Sequence, residues 1–166
     1  MDINFIALAA SSVIPLLLGI IWYHPKFLGT TWMRAAGISE EKMRSWNKLL
    51  IISNTIILGF FLSLGLYSMV IHQPHIYSAV MSDPSIKDPN SELSLWLKNF
   101  MSQYGQNFRT FKHGAFHGLI GSFLIALPII TINALQERKS FKYITINWIF
   151  WLVSMIIMGG IISAYA

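Results

Sequence analysis

Charged and uncharged stretches alternate along the chain, and the uncharged ones have the length scale of a lipid bilayer. Four stretches, at about residues 3–24, 49–72, 113–135 and 143–164, contain no Asp, Glu, Lys or Arg. Each holds roughly 20 residues or more, which as a helix rising about 1.5 Å per residue covers the roughly 30 Å hydrocarbon layer. None alternates polar with apolar as a barrel strand would, and in lipid a helix satisfies its own backbone. The pattern predicts an all-α integral membrane protein, a four-transmembrane-helix bundle forming a single domain over residues 1–166. The first stretch lacks a basic leader and is too long for a cleaved signal, so it is read as an anchor.

The connecting segments carry local signals. Gly37 reads as a helix C-cap, and Ser39 can cap a new helix with Glu40 and Glu41 in its first turn. With no breaker before the second span, that helix is expected to run from about Glu40 to Ile71 as one rod. The outer loop, residues 73–112, contains the turn signals Asp83-Pro84 and Asp88-Pro89-Asn90. After Ser91, Leu93, Trp96, Leu97, Phe100, Met101 and Tyr104 recur with helical spacing up to Gly105. This predicts an amphipathic helix lying at the outer interface, with docking to a partner as the alternative.

Composition agrees with the pattern. Hydrophobic residues make up 54% of the 166 residues and charged residues 11%, too few charges for the surface of a soluble domain of this size, where about 25% is usual. The absence of cysteine excludes disulfides, thiolate nucleophiles and Cys-ligated metal clusters. Eight of the twelve Lys and Arg residues lie in the two short loops (Lys26, Arg34, Lys42, Arg44, Lys48; Arg138, Lys139, Lys142). By the positive-inside rule those loops face the cytoplasm and both termini lie outside, in a multi-pass protein of the cytoplasmic (inner) membrane. The net charge of +5 then speaks for topology and anionic headgroups. No basic stripe interleaved with exposed aromatics points to nucleic acid.

Small and polar residues inside the spans suggest how the helices associate. Gly114, Gly118 and Gly121 form a GxxxG-type groove in the third span, and Gly59/Ser63 and Gly159/Ser163 repeat the small-xxx-small spacing. These faces serve packing inside the bundle or self-association. Asn54, Asn133 and Asn147 are expected at one depth, where they would bond to one another or line a polar cavity. Pro15 and Pro128 should kink the first and third spans. The lack of any ionised residue in the span cores lowers the expectation of a proton- or ion-coupled transporter.

Four of the five histidines fall near the outer ends of the second and third spans: His72, His75, His113 and His117. His113 and His117 are four residues apart, so both imidazoles lie on one helix face, a spacing suited to a divalent metal. If spans two and three are neighbours, all four rings can meet. Zinc or copper would be the natural ion, with axial ligation of a haem a weaker option. Interfacial histidines that simply hydrogen-bond the loop backbone are the bland alternative. No carboxylate base of the H-E-x-x-H kind, nucleophile triad or phosphate loop is present, so no catalytic residues are assigned.

The segment Gly19-Ile-Ile-Trp22-Tyr23-His-Pro25-Lys-Phe27-Leu-Gly29-Thr-Thr-Trp32 resembles G-x-x-W-Y-x-P-x-x-F/L-G-x-x-W. This is the opening motif of a bacterial membrane-protein family, the domain of unknown function family 1761. Gly37–Glu41, Glu137–Lys139 and Met158–Gly160 are similar to its shorter motifs. The resemblance implies four spans and no known activity. On the residues themselves, Trp22 and Tyr23 anchor an interface, Pro25 ends the helix, Gly29 permits a turn and Trp32 packs back, or the same corner floors a cavity with the asparagines. The expected function is that of a small non-enzymatic membrane protein, either an accessory subunit of a larger complex or a homo-oligomer joined by its glycine faces. The alternative is a bundle that binds or transports a small ligand, a lipid or a metal through the outer histidines.

Overall fold

The computed structural model describes residues 3–166, and the described residues form helices with no strand among them. Four helical segments are long and apolar enough to cross a membrane: Phe5–Trp22, Lys48–Val70, Phe111–Gln136 and Phe141–Tyr165. They lie within a few residues of the charge-free stretches. The first is divided into α1 (Phe5–Ser12) and α2 (Ile14–Trp22), separated at Val13. The interruption follows from Pro15, which is fully buried in the first turn of α2 and supplies no N–H to continue the ladder. The third consists of α8 (Phe111–Gly121), a π-helical turn (Ser122–Ala126) and α9 (Leu127–Gln136). The widened turn directly precedes Pro128, whose ring would otherwise meet a carbonyl of the turn before it. Here α5 is Lys48–Val70 and α10 is Phe141–Tyr165.

A short π-helix (Pro25–Gly29) and α3 (Thr30–Ala36) follow the first span. Gly37 ends α3 at φ 72°, and the Ile38 N–H bonds back to the Met33 carbonyl, the closure a left-handed residue allows. The single rod expected from Glu40 to Ile71 is not formed. Helix α4 (Glu40–Arg44) stops at Ser45, and Asn47 starts α5 afresh by accepting the Leu50 N–H at 3.2 Å. A capping side chain competed with helix continuation and won. In the long loop, a 3₁₀ turn (Pro84–Lys87) capped by Asp83 falls at the first turn signal and α7 (Glu92–Tyr104), capped by Ser91, at the expected amphipathic helix, while α6 (Gln73–Val80) was not expected.

Helix α10 is the centre of the bundle, packing on α8, α5, α1 and α2. Its contact with α8 is backbone on backbone. A Cβ at Gly114 would overlap the Gly159 carbonyl, and one at Gly118 the Met155 carbonyl. Gly114 and Gly118 of the third span thus pack against α10 of the same chain. Gly59 likewise lies against the Ser12 carbonyl, and the Ser11 and Ser63 hydroxyls join α1 to α5 at 2.8 Å. Close approach and buried hydroxyl pairs are the means of association open to helices whose outer faces are apolar. Those faces include Ile6, Ile20, Leu49, Leu58, Leu124 and Ile132, all more than half exposed.

The fully buried apolar side chains, Leu8, Leu66, Val70, Ile71, Met158 and Ile162, gather towards one end. Both termini lie there, since the Asn4 side chain donates to the Tyr165 carbonyl at 2.8 Å. The same end carries the close of α5 and the start of α8.

Candidate metal centre

The local sequence places three histidines at that end. Helix α5 stops at Val70, Ile71 is extended, and His72 is the N-cap of α6, with Pro74 in the first turn fixing the new direction. The corner turns His72 towards α8. There Thr110 caps the helix by accepting the His113 N–H, and His113 and His117 follow one turn apart on the same face. The His72 and His113 Nε2 atoms are 3.1 Å apart, and all three side chains offer ring nitrogens within 4.8 Å of one another. Ring centroids are separated by 5.1 Å (His72–His113), 5.0 Å (His72–His117) and 4.5 Å (His113–His117). His75 does not join them: it lies one turn along α6 on an exposed position. The four-ring cluster expected from spacing is thus a cluster of three.

A turn that the sequence did not flag supports the histidines. Gln73, buried to 5% exposure, donates both amide hydrogens, to the Gly105 and Asn107 carbonyls, each at 3.1 Å. Phe108 adopts φ 64°, a left-handed conformation rare for a side chain of its size. It is held by the Ser163 hydroxyl donating to its carbonyl at 3.0 Å, while the Arg109 Nε donates to the Ser163 carbonyl at 3.3 Å. The Phe108 ring then lies 5.0 Å from that of His113. Only Ser163 of these carried a sequence signal, and its small-xxx-small spacing gave a packing role rather than this one.

Chemically, three neutral imidazoles present three lone pairs. A zinc ion bonded at about 2.0–2.1 Å in tetrahedral geometry needs its ligand nitrogens roughly 3.4 Å apart. The His72–His113 separation already meets that, and the third ring reaches it by small rotations. No carboxylate belongs to the group among the described residues, so an ion held here would keep a fourth position open for a small donor. The donor set is hard enough for zinc and suits copper equally.

The asparagines do not cluster. Asn147 accepts from the Tyr23 hydroxyl and from the Trp32 indole, each at 3.2 Å, and donates to the Tyr143 carbonyl. Asn54 is exposed and bonds the Leu50 carbonyl of its own helix, and Asn133 is exposed. Equal depth did not give equal direction around the helix axis. Asn147 instead receives the aromatic corner. The Trp22 indole donates to the Ile146 carbonyl at 3.2 Å, and Gly19 lies beside the Phe150 ring. At Gly29 any Cβ would overlap the Tyr23 carbonyl, and Pro25 opens the π-turn that brings Trp32 back. Gly121 faces the thioether ends of Met155 and Met69.

A family model described as "Protein of unknown function (DUF1761)" matches residues 6–163. The chain belongs to this family. The DUF1761 match runs from α1 to the last turns of α10, so it takes in both the aromatic corner and the three histidines. No curated protein and no solved structure matches the chain.

Proposed function

We propose that this DUF1761 protein is a multi-pass protein of the cytoplasmic membrane that binds a divalent transition-metal ion, zinc or copper, at its outer face. His72, His113 and His117 are the ligands. The observation that carries the reading is the convergence of three imidazoles from two separate elements, the α5–α6 corner and α8, with their ring nitrogens within 4.8 Å. Outward orientation is supported by charge. The loops holding eight of the twelve Lys and Arg residues are at the other end of the bundle from the histidines. The apolar outer faces of the four long helices support insertion in lipid. The open fourth coordination position suits a protein that holds, hands on or senses an ion; no general base accompanies the histidines to suggest hydrolysis.

Purified protein in detergent, stripped with a chelator and titrated with zinc or cobalt(II), tests this directly. One ion per chain is expected. His113→Ala and His117→Ala should each weaken binding by about 100-fold or more, as loss of one of three ligands requires. His75→Ala should leave it within about twofold, since a residue outside the ligand shell contributes little. Equal affinity in the wild type and in the His72/His113/His117 triple-alanine variant would overturn the proposal.

A further inference from the structure

We propose that the cleft beside His72 is a ligand site for a small molecule with a flat apolar body and one metal-binding donor atom, the donor taking the open position of the ion. This rests on the metal reading above and adds the chemical class of the ligand. The cleft has a volume of about 330 Å³ and lies between α6, α7 and the turn at residues 105–108. That is within the range of small-molecule pockets. Its walls are the side chains of Ile76, Phe100, Tyr104 and Phe108, with His72 and Asn107 beside them. His72 therefore belongs to both features, so a molecule seated in the cleft touches one of the residues that hold the ion.

Two further observations distinguish this cleft from an incidental groove. Its walls are fixed: the buried Gln73 amide pins the turn by two hydrogen bonds, and Phe108 is kept at φ 64° by bonds to its carbonyl from Ser163 and Thr110. Backbone held in such a conformation by its surroundings is found chiefly where a ligand or reaction needs it. The walls are also aromatic by arrangement. Trp96, Phe100 and Tyr104 form a row along α7, with successive centroids at 5.4 Å and 5.0 Å. No carboxylate, lysine or arginine lines the cleft. The cleft thus offers planar apolar contact for the body of a ligand, and the ion is the one strong centre for its donor. An acyl chain would need the walls alone, an aryl azole or aryl carboxylate the walls and the ion together.

The test uses the full chain loaded with cobalt(II), its visible bands followed during titration with imidazole and with 4-phenylimidazole. The phenyl analogue should bind about tenfold tighter or more, the gain expected from burying one aromatic ring. Phe100→Ala and Tyr104→Ala should cut that preference to about threefold or less by removing the ring's contacts. Cobalt affinity is read in the same variants, so that loss of the ion is told apart from loss of the cleft. Equal binding of the two azoles, or an undiminished preference in both variants, would overturn the cleft. So would equally tight 4-phenylimidazole binding to metal-free protein, which would mark simple partition into an apolar surface. Failure of cobalt to bind at all would overturn the metal reading and this inference with it.

Discussion

Replacing Gly118 with alanine adds one methyl group where α8 and α10 touch backbone to backbone. The new Cβ would overlap the Met155 carbonyl and approach the Ile156 Cα to 2.9 Å. Non-bonded carbon atoms sit about 3.5–4.0 Å apart at best. Backbone cannot rotate aside as a side chain can, so α8 and α10 must part, and Gly114 against Gly159 loses its contact as well. Overpacking of this kind costs about 1–3 kcal/mol, and a backbone obstacle puts Gly118 at the upper end. Gly65 is the internal control, because a Cβ there meets nothing within 4 Å. Alanine at that position should be neutral or stabilising by up to about 1 kcal/mol through helix propensity. The two variants should thus differ by roughly 2–4 kcal/mol, read as midpoint shifts in reversible detergent unfolding, with oligomeric state followed by light scattering. Gly118→Ala that keeps full stability while turning a dimer into a monomer would refute the reasoning. The glycine face would then pack between copies, not within one.

Other expectations follow from the two ends of the bundle. Asn147→Leu removes the acceptor shared by Tyr23 and Trp32. It should cost about 1–3 kcal/mol in the same unfolding assay, as two part-buried donors lose their acceptor. Asn133→Leu should stay within about 0.5 kcal/mol, because Asn133 is exposed. Gln73→Leu frees the turn at residues 105–109. Limited proteolysis should cut there faster, and metal affinity should fall about tenfold while the helical content by circular dichroism is unchanged. Because imidazole must be unprotonated to bind an ion, protons compete with metal as the pH falls. Zinc affinity should therefore weaken from neutral to acidic pH, and a flat profile by calorimetry would argue against histidine ligands.

What could be read from the sequence was what depends on one dimension. Span length and the absence of charge are properties of the string, so the four long helices appear within a few residues of their expected ends. Caps at Gly37 and Ser39 and the turn at Asp83-Pro84 are readable because such signals act on residues a few positions away. The rod from Glu40 to Ile71 failed for a related reason. Asn47 is as good a cap as Ser39, but a polar residue just ahead of a long apolar run was taken as helix interior. Direction around the axis was not readable. Asn147 meets the aromatic corner, whereas Asn54 and Asn133 are exposed. The i, i+4 pair His113/His117 needed only helix periodicity. Choosing His72 over His75 as the third ring needed the bend at residues 71–74, whose angle no pattern of residue types encodes.

The two ends of α10 explain why chemistry gathers at one of them. At the Asn147 end, two donors share one acceptor and the rings of Tyr23, Trp32 and Phe150 close over it, so nothing is left to bind. At the Ser163 end, three imidazoles share a single hydrogen bond between His72 and His113. Each neutral ring has one donor and one acceptor nitrogen, so most of that bonding capacity is unspent. Ser163 and Gln73 meanwhile use theirs to hold the turn beside the rings, not the rings themselves. The proposed ion would take three lone pairs at once and tie the α5–α6 corner to α8.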